Sequence, residues 1–429
     1  MTLLLHELSR RALTALAAGE ADAAAIKELT TAELSKHRWW IIDVVRAAHL
    51  TGHRNASRAL AACELLDSAW GQDAAAAESV IRHPSVAVWA RRTYEACDGG
   101  HAMAGADPAG LAAVAASAAI AARLDVEIEI PVIDGIAVLP GLGAARATGQ
   151  RALVRTAPGA SRVGQVTIPP DPGQDAPGWH GLRRIRAGDL EVQVDDLDPF
   201  RAPDLPDLAS HGDAAGWRDV LTGAWTVLAG GHPVAAAEIA AVVSSIVPRS
   251  RPPTGAVSSS SAEAFGAITM SLPPDAVTCA ELLVHEVRHL VLGAVLDLAK
   301  LTESDDGSRY YAPWRDDPRP VSGLLQGAYA FFGVAGFWRR QRLRESSGRG
   351  HVEFARWRAG AAQAVRTLQA SGQLTDTGME FTGEMARVLD RWQRDPVPVT
   401  AAERAFHETR AHLERWESAG GSSGDAVHR

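Results

Sequence analysis

The residues best suited to chemistry lie in Thr278-Cys279-Ala280-Glu281-Leu282-Leu283-Val284-His285-Glu286-Val287-Arg288-His289-Leu290-Val291-Leu292, which holds the spacing His-Glu-x-x-His. Four residues of helix turn through about 400°. His285 and His289 therefore share one face, a turn apart, where two imidazoles can reach one metal ion. Glu286 sits roughly 100° round, close enough to reach a metal-bound water or a group that orients a ligand. The motif lies in an apolar helix, where two histidines and a glutamate are costly to bury without partners.

A metal held by two histidines needs a third ligand. The metzincin pattern requires glycine at 292 and histidine at 295, but the chain has Leu292 and Val295. Asp297 follows His289 by eight residues, ~12 Å along a helix axis and too far to share the ion. The next apolar helix, Val321 to Trp338, contains no carboxylate, and its inward-capable polar groups are Gln326 and Tyr329. The intervening loop offers Glu303, Asp305, Asp306, Asp316 and Asp317. A zinc peptidase reading thus has its helix and its general base, Glu286, with the third ligand open.

The elements around this motif read as α+β, predominantly helical. Residues 1–125 form a helical N-terminal region, with apolar residues at helical spacing near Leu3 to Leu13, Trp39 to Leu50, Ser57 to Trp70 and Ala77 to Ala96. Its histidines (His6, His37, His49, His53, His83, His101) are scattered and read as structural or exposed. Residues 126–205 are β-rich: Val126 to Ile130 alternates, and Leu182 to Ile185 pairs with Leu190 to Val194 across Ala187-Gly188. Gly141-Leu142-Gly143 reads as a turn, since neither GxGxxG nor GK[ST] follows.

Residues 206–345 form the HExxH region. Helical periodicity runs from Gly212 to Ile246, and a zincin-like strand, Ala264 to Leu272, precedes the metal helix. That helix is capped by Thr278 with Glu281, or by Asp275. Residues 346–418 are helical again, with a start near Thr400-Ala401-Ala402-Glu403, and 419–429 read as a frayed tail.

Composition narrows the function classes. The 429-residue chain has a formal net charge of −8, 46% hydrophobic and 22% charged residues, which is a globular composition rather than a disordered one. Lysine occurs only at Lys27, Lys36 and Lys300, and arginine supplies the other positive charges, a skew typical of GC-rich bacterial genomes. The acidic balance and the lack of a basic run exclude nucleic acid as an expected partner. Cys63, Cys97 and Cys279 lack CxxC spacing, so neither a disulfide framework nor a cysteine zinc site is expected, and a reducing cytoplasm fits. The opening residues do not form a secretory signal. The alanine-rich stretch Gly110 to Leu124 falls short of the ~20 strongly apolar residues of a membrane span.

Taken in order, the motifs resemble the HExxH-motif domain found beside ribosomally made peptide natural products, whose members are iron- and 2-oxoglutarate-dependent peptide β-hydroxylases. The matching pieces are Val194-Asp195-Asp196-Leu197-Asp198-Pro199-Phe200-Arg201, the strand Gly266 to Leu272, and Leu283 to His289. They continue with Trp314-Arg315-Asp316-Asp317-Pro318-Arg319-Pro320, with Gly323 to Phe331, and with His412 and Trp416. Apart from HExxH each piece is weak; their order and spacing carry the resemblance over most of the chain.

The resemblance implies Fe(II) and 2-oxoglutarate as cofactors, with zinc as the peptidase alternative, and a ribosomally synthesised precursor peptide as partner. It implies His285 and His289 as metal ligands and Gln326 at a position that the family fills with a histidine ligand. Glutamine is a weaker and rarer ligand, so Gln326, a loop carboxylate or loss of activity are three open outcomes. A 2-oxo acid needs a cation for its far carboxylate, and arginine's fork suits it: Arg319 first, then Arg315 and Arg288. In this reading Glu286 orients a ligand or contacts substrate. The alternatives are an HExxH zinc metallopeptidase processing a peptide and a metal-free peptide-binding protein.

Overall fold

The computed structural model describes residues 6–99, 105–157, 159–209 and 213–418. His101 and the 419–429 tail lie outside them. Helices make up 55% of the chain and strands 14%, in small sheets, so the fold is α+β and mostly helical. The N-terminal helices are α1 (Arg10–Ala17), α2 (Ala23–Leu50), α3 (Ala56–Gln72), α4 (Ala74–Ile81), α5 (Pro84–Cys97) and α6 (Leu111–Ala121). Next come β1 (Val126–Pro131), β2 (Ile136–Leu139), β3 (Gly143–Arg146), β4 (Arg151–Thr156), β5 (Ser161–Val163), β6 (Val166–Ile168), β7 (Trp179–Gly181), β8 (Arg183–Ala187) and β9 (Leu190–Val194). Then follow α7 (Ala214–Gly231), α8 (Pro233–Val242), β10 (Ser245–Arg249), β11 (Ser258–Ser259) and β12 (Ala267–Ser271). The chain closes with α9 (Ala276–Leu298), α10 (Val321–Gln341), α11 (Arg349–Ala370), α12 (Asp376–Gln393) and α13 (Val399–Ser418).

The chain divides into two compact units that cut across the sequence-based regions. The first holds Thr31–Leu221 and Val243–Pro274; the second holds His6–Thr30, Thr222–Val242 and the chain from Asp275. All the described strands belong to the first unit. Its sheets run β1-β4-β5-β6, β2-β3-β7 and β11-β12-β10-β9-β8. The β8–β9 hairpin turns through Gly188 at φ +57°, as its sequence predicts. α6 packs against α3, α4, β1, β2 and β4, and every residue from Leu111 to Ala119 is buried. Its alanines let neighbouring backbones approach closely, and this alanine-rich stretch is a core helix of 11 residues.

Two periodic stretches are broken by proline. Ala77 to Ala96 splits at His83-Pro84, because proline starts a helix readily but removes a hydrogen bond from a helix interior. Gly212 to Ile246 splits at His232-Pro233, and its end, Ile246, lies in β10. That strand pairs in parallel with β9 and β12. β12 also pairs with β11 on its other side. The strand before α9 is therefore an interior strand, paired with β10 along its length and with β11 at Thr269 and Met270.

The second unit is helical. α10 packs on α9 and α11, and α11 in turn packs on α12 and α13. α10 is the one described helix long and apolar enough to cross a membrane, and 72% of its most apolar window is buried inside the protein. It is the unit's central helix.

Candidate functional site

α9 begins where its sequence allows. Asp275 is the N-cap and accepts from Thr278 N at 2.9 Å and Thr278 Oγ1 at 2.8 Å, a cap worth about 1 kcal/mol. Thr278 therefore lies inside the helix. Two turns on, His285 and His289 face each other as the spacing requires. Their Nε2 atoms are 3.2 Å apart, and the rings meet edge to face with centroids 4.9 Å apart.

His289 Nδ1 lies 3.1 Å from Gln326 Oε1 on α10. His285 meets Phe331 edge to face at 4.9 Å. Phe331 stacks with Trp314 at 4.9 Å and with Trp357 at 4.3 Å, and the Arg356 guanidinium lies 4.4 Å over the Trp357 ring. Trp314 is seated on Gly327: a Cβ there would come 2.3 Å from Trp314 Cζ2, so this position demands glycine. Burial pushes the His285 imidazole down to about 4, with Glu286 opposing the shift and His289 adding to it. The ring is neutral at pH 7, the state a metal ligand needs.

The separation of the two imidazoles fits a shared ion. Metal–nitrogen bonds of ~2.1 Å place two ligand atoms ~3.0 Å apart at a right angle and ~3.4 Å apart at a tetrahedral one. The observed 3.2 Å falls between these limits. No third acidic, cysteine or histidine side chain joins them: among the described residues, no group of three or more His, Cys, Asp or Glu could hold a metal. Gln326 contacts the other ring nitrogen of His289, so it stands behind that ligand and away from the point where the two Nε2 atoms meet.

The remaining candidates are dispersed. Glu286 is buried on α9. Arg288, read from the sequence as a possible cofactor-binding residue, is committed elsewhere. Its two Nη atoms meet Glu238 at 3.2 and 3.0 Å, and Nη1 also donates to Tyr329 OH at 3.1 Å. Tyr329 OH donates in turn to Leu16 O at 2.7 Å. Gly333 makes room for this pair, since a Cβ there would come 2.7 Å from Arg288 Cγ. The chain offered no local sign of it, because Glu238 lies 50 residues upstream.

Arg315 and Arg319 share Asp317, at 2.7 and 3.2 Å. Their loop is closed by paired backbone bonds between Tyr310 and Arg319 and tied to α13 by Tyr311 OH and His412 Nδ1 at 2.7 Å. Asp316 lies 3.4 Å from His412 Nε2. Glu303, Asp305 and Asp306 lie in the loop with partners of their own: Lys300 for Glu303, Arg309 for Asp305 and the Ser308 amide for Asp306.

Glu281, expected as the capping-box partner of Thr278, lies inside α9 instead, one turn before His285 on the same face. It accepts from Trp338 Nε1 at 2.9 Å, and burial pushes its carboxyl up to about 7. The same i,i+4 count that joined the histidines puts it on that face. Phe331 and Trp357 were missed, and only the packing of α10 on α11 brings them together.

A second histidine cluster, this one buried, lies in the first unit, on the Val194 to Arg201 motif. Asp195 Oδ1 accepts from the Leu197 and Asp198 amides at 3.1 and 3.0 Å, and Asp198 Oδ1 accepts from Phe200 N at 2.8 Å. Asp198 Oδ2 accepts from Ser85 Oγ at 2.8 Å, and Ser85 Oγ lies 2.7 Å from His83 Nδ1. His83 Nε2 is 3.9 Å from Asp195 Oδ2. Burial, and then the Asp198 charge, push Asp195 up to about 6.

No family model matches the chain, and no curated protein matches it.

Proposed function

We propose that the chain is an Fe(II)/2-oxoglutarate-dependent peptide β-hydroxylase acting in the cytoplasm on a side chain of a ribosomally synthesised precursor peptide. The observation that carries the reading is the 3.2 Å approach of the His285 and His289 Nε2 atoms, combined with the motif order that resembles that family. Bound iron and its 2-oxo acid would supply the oxidising power. The chain's own residues do the rest: His285 and His289 hold the ion, and Phe331, stacked between Trp314 and Trp357, walls one side of it.

Two protein ligands leave more open positions than three, enough for a bidentate 2-oxo acid and dioxygen. Arg319, with Arg315 beside it, would take the acid's far carboxylate in place of Asp317. Arg288 drops out of that role, because Glu238 already neutralises it in a buried pair. The zinc peptidase reading keeps the same histidines and Glu286, but β12, the strand that precedes their helix, is paired with β10 and β11 rather than standing as a free edge.

The test is anaerobic purification, loading with Fe(II) and 2-oxoglutarate, and incubation with a short peptide encoded beside the gene. The expected product carries one added oxygen atom, with 2-oxoglutarate consumed in step. A shortened peptide with zinc bound, no oxygen gain and no 2-oxoglutarate turnover would overturn the reading in favour of proteolysis.

A further inference from the structure

We infer that Gln326 is a positioning residue that presets the tautomers of the histidine pair, and that it is not itself a ligand. The inference deepens the metal-pair reading and rests on it for its purpose, but its geometry stands alone. A side-chain amide oxygen can only accept a hydrogen bond. Gln326 Oε1, 3.1 Å from His289 Nδ1, therefore requires the proton of a neutral His289 to sit on Nδ1. That leaves His289 Nε2 as a bare acceptor, and the only donor consistent with its 3.2 Å contact is His285 Nε2–H. One amide thus orders a directed chain in which a single proton lies between the two Nε2 atoms.

A cation entering between the histidines replaces that one proton. His289 is already the correct tautomer, and only His285 has to shift its proton from Nε2 to Nδ1, with solvent able to relay it. Phe331 packs edge to face against the His285 ring at 4.9 Å and limits its rotation. Ligating histidines are held in this manner by an acceptor on the far nitrogen, and loss of such a partner typically weakens metal affinity about 10–100-fold.

The experiment uses the full chain labelled with ¹⁵N-histidine and freed of metal by chelator. Long-range proton–nitrogen correlation spectra at neutral pH should show His289 protonated on Nδ1 in the wild type. Gln326→Leu should return His289 to the Nε2–H form and weaken Co(II) binding about 10–100-fold, read from its absorption spectrum. Gln326→Glu, which keeps an acceptor, should retain both the tautomer and the affinity. A His289 that is Nε2–H in the wild type, or a tautomer that ignores Gln326→Leu, overturns the inference even if Co(II) binds. If the tautomer follows Gln326 while the wild type binds no metal, the inference stands and the metal reading fails.

Discussion

The two histidine clusters, one buried around His83 and one part-buried at His285 and His289, differ in their neighbours. Around His83, two aspartates and a serine are close at hand, yet Asp195 Oδ1 and both Asp198 oxygens are taken up by the turn from Asp195 to Phe200 and by Ser85, leaving Asp195 Oδ2 at 3.9 Å from His83 Nε2. Around His285 and His289, two imidazoles converge and no carboxylate joins them. One cluster has acidic ligands bound to the backbone; the other has ligand nitrogens turned toward a common point. Residue type alone would have favoured the first as a metal centre. The accounting of lone pairs favours the second, because three of the four carboxylate oxygens in the first already accept hydrogen bonds and have less left for a cation.

The largest effect that tests this contrast is on stability. Asp198→Ala leaves Ser85 Oγ and the Phe200 amide without their acceptor in a buried site. It should cost roughly 2–4 kcal/mol in urea denaturation and leave metal binding by the second unit unchanged. A loss below about 0.5 kcal/mol, the range of ordinary surface changes, would mean that the turn is not held as described.

Acid should affect the two clusters with opposite sign in chelator-treated protein. His285, held near 4 in the folded chain against 6.5 when unfolded, binds its proton later than the unfolded state does. Its contribution to stability therefore falls as pH drops from 6.5 to 4. Asp195, held near 6 against 3.8, binds its proton earlier, so its contribution rises as pH drops from 6 to 3.8. Each swing is about 3 kcal/mol at most. Replacing His285 by Asn should flatten the acid loss, and replacing Asp195 by Asn should steepen it, in denaturation midpoints from pH 7 to 4. Equal profiles for the two variants would contradict the burial assigned to both groups.

Much of this was legible in the chain. The i,i+4 histidines, the Asp275 cap and the β8–β9 hairpin depend on neighbours in sequence, and local spacing found them. Pro84 and Pro233 ended helices that apolar periodicity alone had carried through. What local reading lacked were facts set by distant packing. Arg288 looks available until Glu238 is placed against it, and β12 looks like a free edge until β10 and β11 pair with it. Gln326 stands where the family resemblance implies a ligand, but its oxygen faces the far nitrogen of His289, an orientation no spacing rule contains.

If His285 and His289 together hold one metal ion, titration of the metal-free chain with Co(II), followed by absorption and calorimetry, should show one ion per chain. That binding should be lost in both His285→Ala and His289→Ala and retained in Asp195→Asn. Binding that survives both histidine substitutions, or that vanishes with Asp195→Asn in protein that remains folded, would place the metal elsewhere and contradict that reading.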